Sequence, residues 1–202
     1  MIGAMSRADD RLTRQLDFIA EIDKLKTVFR RTFLISDDRR ENDAEHSWHL
    51  AAAAIILREY AAEPINLERV LKMAVVHDLV EIYAGDAFAY DERANEVKAE
   101  KESRAAERLF SLAPRDQGRE IEDLWREFDA MNSADSRFAA ALDRFMPFLH
   151  NTLTDGATWK EGRVRAEQVY KRMEPVKTAV PALWPFIEER IRGAVKRGWI
   201  SP

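Results

Sequence analysis

The sequence predicts an all-α protein, a bundle of helices, and three observations carry that prediction. Apolar residues recur at helical spacing along most of the 202 residues. No segment shows the apolar/polar alternation of a half-buried strand, and no internal repeat, low-complexity tract or glycine-rich phosphate loop interrupts the pattern. A composition of 46% hydrophobic and 34% charged residues suits a soluble, helix-rich chain, and the length is near the upper end for one core, so residues 1–202 are expected to form a single domain.

The elements follow in order. Leu12, Leu16, Ile19, Ile22 and Leu25 give a first helix, from about Asp9 to Lys26, one apolar face that should pack on the core. A loop of Arg, Asp and Asn runs from about Thr32 to Asn42. Asp43 can then cap a second helix carrying His46 in its first turn and Leu50, Ala53, Leu57 and Tyr60 beyond it. Pro64 and Asn66 restart the chain, and Leu67, Val70, Leu71, Ala74, Val75 and Leu79 form a third helix, apolar over much of its circumference and so central. Gly85 ends it and leaves Asp86 on the following loop.

A charged helix is expected from about Ala94 to Leu112, stopped by Pro114, and another from about Arg115 to Phe128. Ser133 caps a sixth, whose apolar stripe of Phe138, Ala141, Leu142, Phe145 and Leu149 contains Asp143 and which Pro147 should kink. Two amphipathic helices, about Lys160 to Met173 and about Ala182 to Arg197, complete the chain before Gly198.

Composition also excludes chemistry. Without cysteine there is no disulfide framework, thiolate zinc site or cysteine nucleophile. The longest apolar run, Leu50 to Leu57, is too short for a membrane span, and the N-terminus lacks a secretory apolar core, so a cytoplasmic protein without membrane contact is expected. A net charge of −4 argues against duplex nucleic acid as the main partner, with Arg30-Arg31 and Arg39-Arg40 ordinarily read as solvated loop charges.

Against this background His46, His77, Asp78 and Asp143 stand out, because two imidazoles and two carboxylates are the donor set of a divalent metal site. Four such ligands leave positions open for water and a substrate oxygen, and water on such a cation becomes a nucleophile near neutral pH. The bland alternatives are a hydrogen-bonded structural histidine for His46 and an ion pair with Arg137 or Arg144 for Asp143. An unpaired carboxylate in an apolar stripe is nevertheless costly unless it meets a cation.

On one continuous helix His77 and Glu81 would share a face, placing Glu81 to act as a general acid or base. Asp86 lies on the loop just past the helix end, and loops so placed often hold substrate. Arg31 offers a planar fork to a phosphate, with Arg30 as the competing choice. His49 is read as a core or supporting residue rather than half of an HxxH zinc pair, and His150 as structural.

The pieces Arg31, Glu45-His46-Ser47, His77-Asp78-Leu79-Val80-Glu81, Gly85-Asp86 and Leu142-Asp143 together resemble the HD-domain metal-dependent phosphohydrolases, within them the small 5'-deoxynucleotidases and their HD-domain-containing relatives. The resemblance covers roughly residues 20–155, with C-terminal helices over about 156–200. It implies an HD-domain helical bundle, a bound Mn²⁺ or Co²⁺ with Mg²⁺, Fe²⁺, Ni²⁺ and Zn²⁺ also compatible, a homodimer, contact of Asp86 with the sugar hydroxyl or its help to the leaving group, and hydrolysis of deoxyribonucleoside 5'-monophosphates to nucleoside and phosphate. In the same family, hydrolysis of another phosphate ester or of a nucleoside triphosphate is the alternative, as is a non-catalytic nucleotide-sensing module.

Relatives that hydrolyse the stringent-response nucleotides resemble HDxxED, whereas Ile82 follows Glu81 here. Cyclic dinucleotide phosphodiesterases carry a downstream GYP that is absent. A homodimer is also expected from Trp184, Phe186, Ile187 and Trp199, which exceed what one helix pair needs to cover.

Overall fold

The computed structural model describes residues 7–91 and 97–202. Helix α1 (Arg7–Ile22) leads through a 3₁₀ turn (Asp23–Thr27) into a short hairpin of β1 (Phe29–Phe33) and β2 (Arg40–Asn42). Then come α2 (Asp43–Leu57), α3 (Leu67–Val76), the single turn α4 (Glu81–Ala84), α5 (Lys98–Phe110), α6 (Arg115–Ala130) and α7 (Ala134–Leu153). The chain closes with α8 (Ala157–Glu161), α9 (Ala166–Ala179) and α10 (Trp184–Lys196). The fold class is the all-α one expected, with the hairpin as its only sheet among the described residues.

The long α7 is the axis of the bundle. It begins at a capping box, in which Ser133 and Ser136 each accept the other's backbone N–H. It runs unbroken through Pro147 and packs against α2, α3, α6 and α9. Its inward residues Phe138, Leu142, Phe145 and Phe148 join Leu50, Val70, Trp159, Val169, Met173 and Ile187 in one apolar cluster. A second cluster, around Met73, Val76, Leu109, Phe110, Leu124 and Trp125, lies under α1 and its 3₁₀ turn through Phe18 and Leu25.

Several boundaries differ from the sequence expectations. The chain from Phe29 to Asn42 is not all loop, because β1 and β2 pair antiparallel with Phe29 opposite Asn42 and Phe33 opposite Arg40. The apolar stripe that begins in α1 faces the core only at its far end, where Ile22 and Leu25 pack on the second cluster, while Leu12, Leu16 and Ile19 are more than half exposed. Besides Phe18, polar contacts hold α1, since Arg14 donates to the carbonyls of Ser111 and Ala113 at 2.8 and 2.7 Å and Arg11 pairs with Asp116 at 2.8 Å.

The third helix ends at Val76, so the His-Asp pair lies on a turn and not within a helix. The helix expected from about Lys160 to Met173 is two, α8 and α9, and α9 continues through Pro175 to Ala179. Of the helix expected from about Ala94, only the part from Val97 onward falls within the described residues. In the C-terminal region Ile187 is fully buried and Trp184, Phe186 and Trp199 pack on the first cluster, so these residues complete this chain's own core.

Candidate metal centre

Four short pieces of chain build the site. In β1 alternate side chains face opposite ways, so Arg30 and Thr32 turn inward while Phe29 and Arg31 turn out. At the start of α2 the cap is Asn42 and not Asp43: Asn42 Oδ1 accepts the Glu45 N–H at 2.9 Å, and the Glu45 carboxylate accepts the Asn42 N–H at 3.1 Å. That capping box frees Asp43, fully buried in the first turn, to face the site beside the fully buried His46.

At the far end of α3 the ladder tightens. The Leu79 N–H reaches the Val76 carbonyl at 3.2 Å and the Glu81 N–H reaches the Asp78 carbonyl at 2.9 Å, each three residues back. This turn brings His77, Asp78 and Glu81 toward one cavity. Gly85 then leaves α4 at φ 76°, a conformation that favours glycine, and Asp86 follows on the cavity wall. Asp143 comes from the middle of α7.

His46, His77, Asp78 and Asp143 converge. His46 Nε2 lies 3.0 Å from Asp143 Oδ1, His77 Nε2 lies 3.2 Å from Asp78 Oδ2 and 3.8 Å from Asp143 Oδ1, and the two imidazole centroids are 5.5 Å apart. One group of ligand atoms comes from His46, His77 and Asp143 and an adjoining one from Asp43, Asp78 and Glu81. His77 Nδ1 donates to the Ala74 carbonyl at 2.9 Å, which leaves Nε2 as the ring nitrogen that faces the cluster and could ligate once deprotonated. Behind His46, the Glu41 carboxylate lies 3.6 Å from Nδ1, beyond hydrogen-bond distance, so Nδ1 is also buried without a partner.

The donor set fits a divalent cation of hard-to-borderline character. A structural observation supports the fit: His77 Nε2, Asp43 Oδ2 and Glu81 Oε2 are buried without a hydrogen-bond partner. Buried polar atoms without partners are costly, and three of them beside one cluster mark a place prepared for a ligand.

Arg30 is the internal counter-ion. Its Nη1 donates to Asp78 Oδ2 at 2.8 Å and to Asp43 Oδ1 at 3.2 Å, and its Nη2 is 3.9 Å from Asp143 Oδ1. The charges follow from these contacts. Burial disfavours an ionised Asp143, but His46 and His77 outweigh it and hold the carboxyl well below the usual range. Burial likewise opposes a charged His77, yet Asp78 and Asp143 push it up to about 10 in the metal-free protein. Glu81 goes the other way: burial, with the neighbouring carboxylates of Asp78 and Asp43, holds it well above the ordinary value. Burial also raises Asp86, and burial with Asp78 raises Asp43 to about 7.

The cavity beside this cluster is also lined by Arg31, Phe88, Lys98, Arg144, Trp159 and Arg172. Arg31 does not point at the carboxylates; its guanidinium lies over the Phe88 ring, 5.1 Å from the centroid. Lys98 is 3.3 Å from Glu102 and 4.0 Å from Glu81. Burial, opposed by Asp143 and reinforced by Arg172, lowers Arg144 from its usual value. His49 and His150 stand apart, 3.4 Å from each other, with His150 Nδ1 donating to the Phe33 carbonyl at 3.1 Å.

Sequence reasoning assigned no site role to Asp43, Lys98, Arg144 or Arg172. For Asp43 the signal was present, since Asn42-x-x-Glu45 spells a capping box one residue earlier than the cap first assigned.

A helical frame that gathers two histidines and two aspartates, one of each in a His-Asp pair, into one cluster beside a cavity defines the HD class of metal-site proteins. The chain belongs to the HD domain family, whose pattern matches residues 22–184. A crystal structure described as a predicted metal-dependent phosphohydrolase from Magnetospirillum magnetotacticum is 46% identical, with a TM-score of 0.92 over 98% of this chain and 99% of that one. The Homo sapiens 5'-deoxynucleotidase HDDC2 is 27% identical over 151 residues, 74% of this chain and 72% of the relative. A Pyrococcus horikoshii protein at 24% identity and a TM-score of 0.59, covering 88% of this chain and 98% of that one, shares the fold. No helix among the described residues is long and apolar enough to cross a membrane.

Proposed function

We propose that the protein is a metal-dependent phosphomonoesterase that hydrolyses nucleoside 5'-monophosphates, deoxyribonucleotides foremost, to nucleoside and phosphate. The observation that carries this reading is the convergence of His46, His77, Asp78 and Asp143 in one cluster at the edge of the cavity, with Glu81 Oε2 buried beside them without a hydrogen-bond partner. The similarity to a 5'-deoxynucleotidase supplies the substrate class.

His46, His77, Asp78 and Asp143 would hold one divalent ion, Mn²⁺ or Co²⁺, with Mg²⁺, Fe²⁺, Ni²⁺ and Zn²⁺ compatible with the same donors. Such an ion, when bound, activates water for attack on phosphorus and offsets phosphate charge. Arg30 holds Asp78 and Asp43 in place through its two hydrogen bonds. Glu81, raised well above the ordinary carboxyl value by burial and by its acidic neighbours, would give its proton to the departing 5'-oxygen. Asp86 stands on the cavity wall to meet the sugar, and Arg31, without an ion pair among the described residues, meets the phosphate from the Phe88 side.

We take residues 1–202 as one working unit, because Trp159 and Arg172 from the C-terminal helices line the same cavity as the HD residues. The proposal includes a cytoplasmic homodimer. Its support is the exposed apolar stripe Leu12, Leu16 and Ile19 on α1 and the exposed Trp48, Ile55 and Ile56 on α2. Light scattering that returned the 23.3 kDa of a single chain would reject the dimer. Phosphate release from a panel of ribo- and deoxyribonucleoside mono-, di- and triphosphates, with Mn²⁺, Co²⁺ and Mg²⁺ added separately, tests the function. Turnover confined to monophosphates is expected, and turnover confined to triphosphates would overturn it.

A further inference from the structure

The metal-site cavity contains positive charge that its negative charge does not use. Of the cations on its wall, Arg30 is consumed by Asp78 and Asp43, Lys98 by Glu102 and Glu81, and Arg31 lies at the exposed edge over the Phe88 ring. Arg144 and Arg172 are different. Arg144, on α7 directly after Asp143, spends one hydrogen bond on the Ala140 carbonyl at 2.7 Å. Asp143 and Asp129 act on it only from beyond ion-pair distance. Arg172, on α9, has no carboxylate within ion-pair distance among the described residues. Two partly buried guanidiniums of like charge, facing one void and close enough to repel each other, cost free energy in the empty protein.

We propose that Arg144 and Arg172 form an oxyanion subsite that binds a phosphate-type group of the substrate alongside the metal ligands. The chemistry is that of paired planar forks, each able to give two parallel N–H donors to one phosphate. The anion is either the phosphate being hydrolysed or a second acidic group on the same substrate, and the inference rests on the phosphomonoesterase reading for that substrate. It also accounts for the pair itself, since groups kept for binding are commonly held at a cost to stability.

The test is the affinity of the metal-loaded protein for inorganic phosphate, measured calorimetrically for wild type, Arg144→Gln, Arg172→Gln and the exposed control Arg192→Gln. Each of the two cavity substitutions should weaken phosphate about tenfold or more with metal content unchanged, and the control should not. Without phosphate, both variants should melt no lower than wild type, because one of two repelling cations is gone; a merely structural arginine would lower Tm instead. Unchanged phosphate affinity in both variants would overturn the subsite. Because binding needs no turnover, a protein that hydrolysed no nucleotide would sink the functional reading and leave this measurement intact. Two kinetic arms then separate the sources. A fall in kcat/KM on p-nitrophenyl phosphate as well as on nucleotides assigns the pair to the scissile phosphate. A fall confined to nucleoside 3',5'-bisphosphates assigns it to a second anion.

Discussion

Arg30 donates to Asp78 across 2.8 Å between two buried side chains, so a fixed positive charge sits against a carboxylate of the metal cluster. The protein thereby carries its own stand-in for part of the charge that a divalent ion supplies. Arg30→Met leaves Asp43 without its cation and Asp78 with His77 alone in the metal-free state, and removing one partner of a buried pair typically costs about 3–5 kcal/mol. Urea unfolding in EDTA should show a loss of that size. Added Mn²⁺ should recover more stability in the variant than in wild type. Equal stability of the two metal-free proteins would remove Arg30 from this role.

Glu81 is the residue whose function and whose environment agree most closely. Burial beside Asp78 and Asp43 raises it well above the ordinary carboxyl value in the metal-free protein, toward the protonated state a general acid needs. Glu81→Gln preserves shape but has no proton to give, so kcat should fall by about 10²–10⁴ while metal content and KM change little. Near-normal turnover would return Glu81 to a structural role, and loss of metal would make it a ligand.

His150 gives the fold a pH dependence of its own. Burial, opposed by Glu41, pushes its imidazole below the ordinary value near 6.5. The unfolded chain therefore takes up the proton first, and this contribution is complete above about pH 6.5 and is lost as pH falls below it. His46 and His77 are raised, so their contributions vary above that range and not below it. In urea unfolding between pH 7.5 and 5, wild type should lose more stability than His150→Asn. Parallel pH profiles would contradict the assignment.

How far the sequence disclosed this molecule can be argued residue by residue. The helices were legible because their apolar positions recur at 3.6-residue spacing, and α6, α7 and α10 lie within a few residues of expectation. The hairpin was not, because its inward positions are Arg30 and Thr32 while Phe29 is exposed, which inverts the hydrophobic alternation that marks a strand. The same inversion bears on the choice between Arg30 and Arg31: strand alternation sends one into the carboxylate cluster and the other to the cavity edge, and a loop reading carries no such rule.

For α1, periodicity identified the stripe but not the side that packs, since an arginine bound to three successive carbonyls decided its orientation. The four proposed ligands were legible as chemistry, for His46, His77, Asp78 and Asp143 are the residue types a divalent ion takes, and the fold brings them together. Arg144 and Arg172 were not legible, because an arginine on an amphipathic helix reads as surface charge until the cavity it faces is known.

The central claim is that His46, His77, Asp78 and Asp143 hold one divalent ion on which activity depends. Elemental analysis of purified wild type and Asp78→Ala, with phosphate release measured on the same samples and circular dichroism to confirm folding, tests it most directly. About one ion per chain is predicted in wild type, with metal and turnover lost together in the variant. A folded Asp78→Ala protein that kept its full complement of metal would contradict the account.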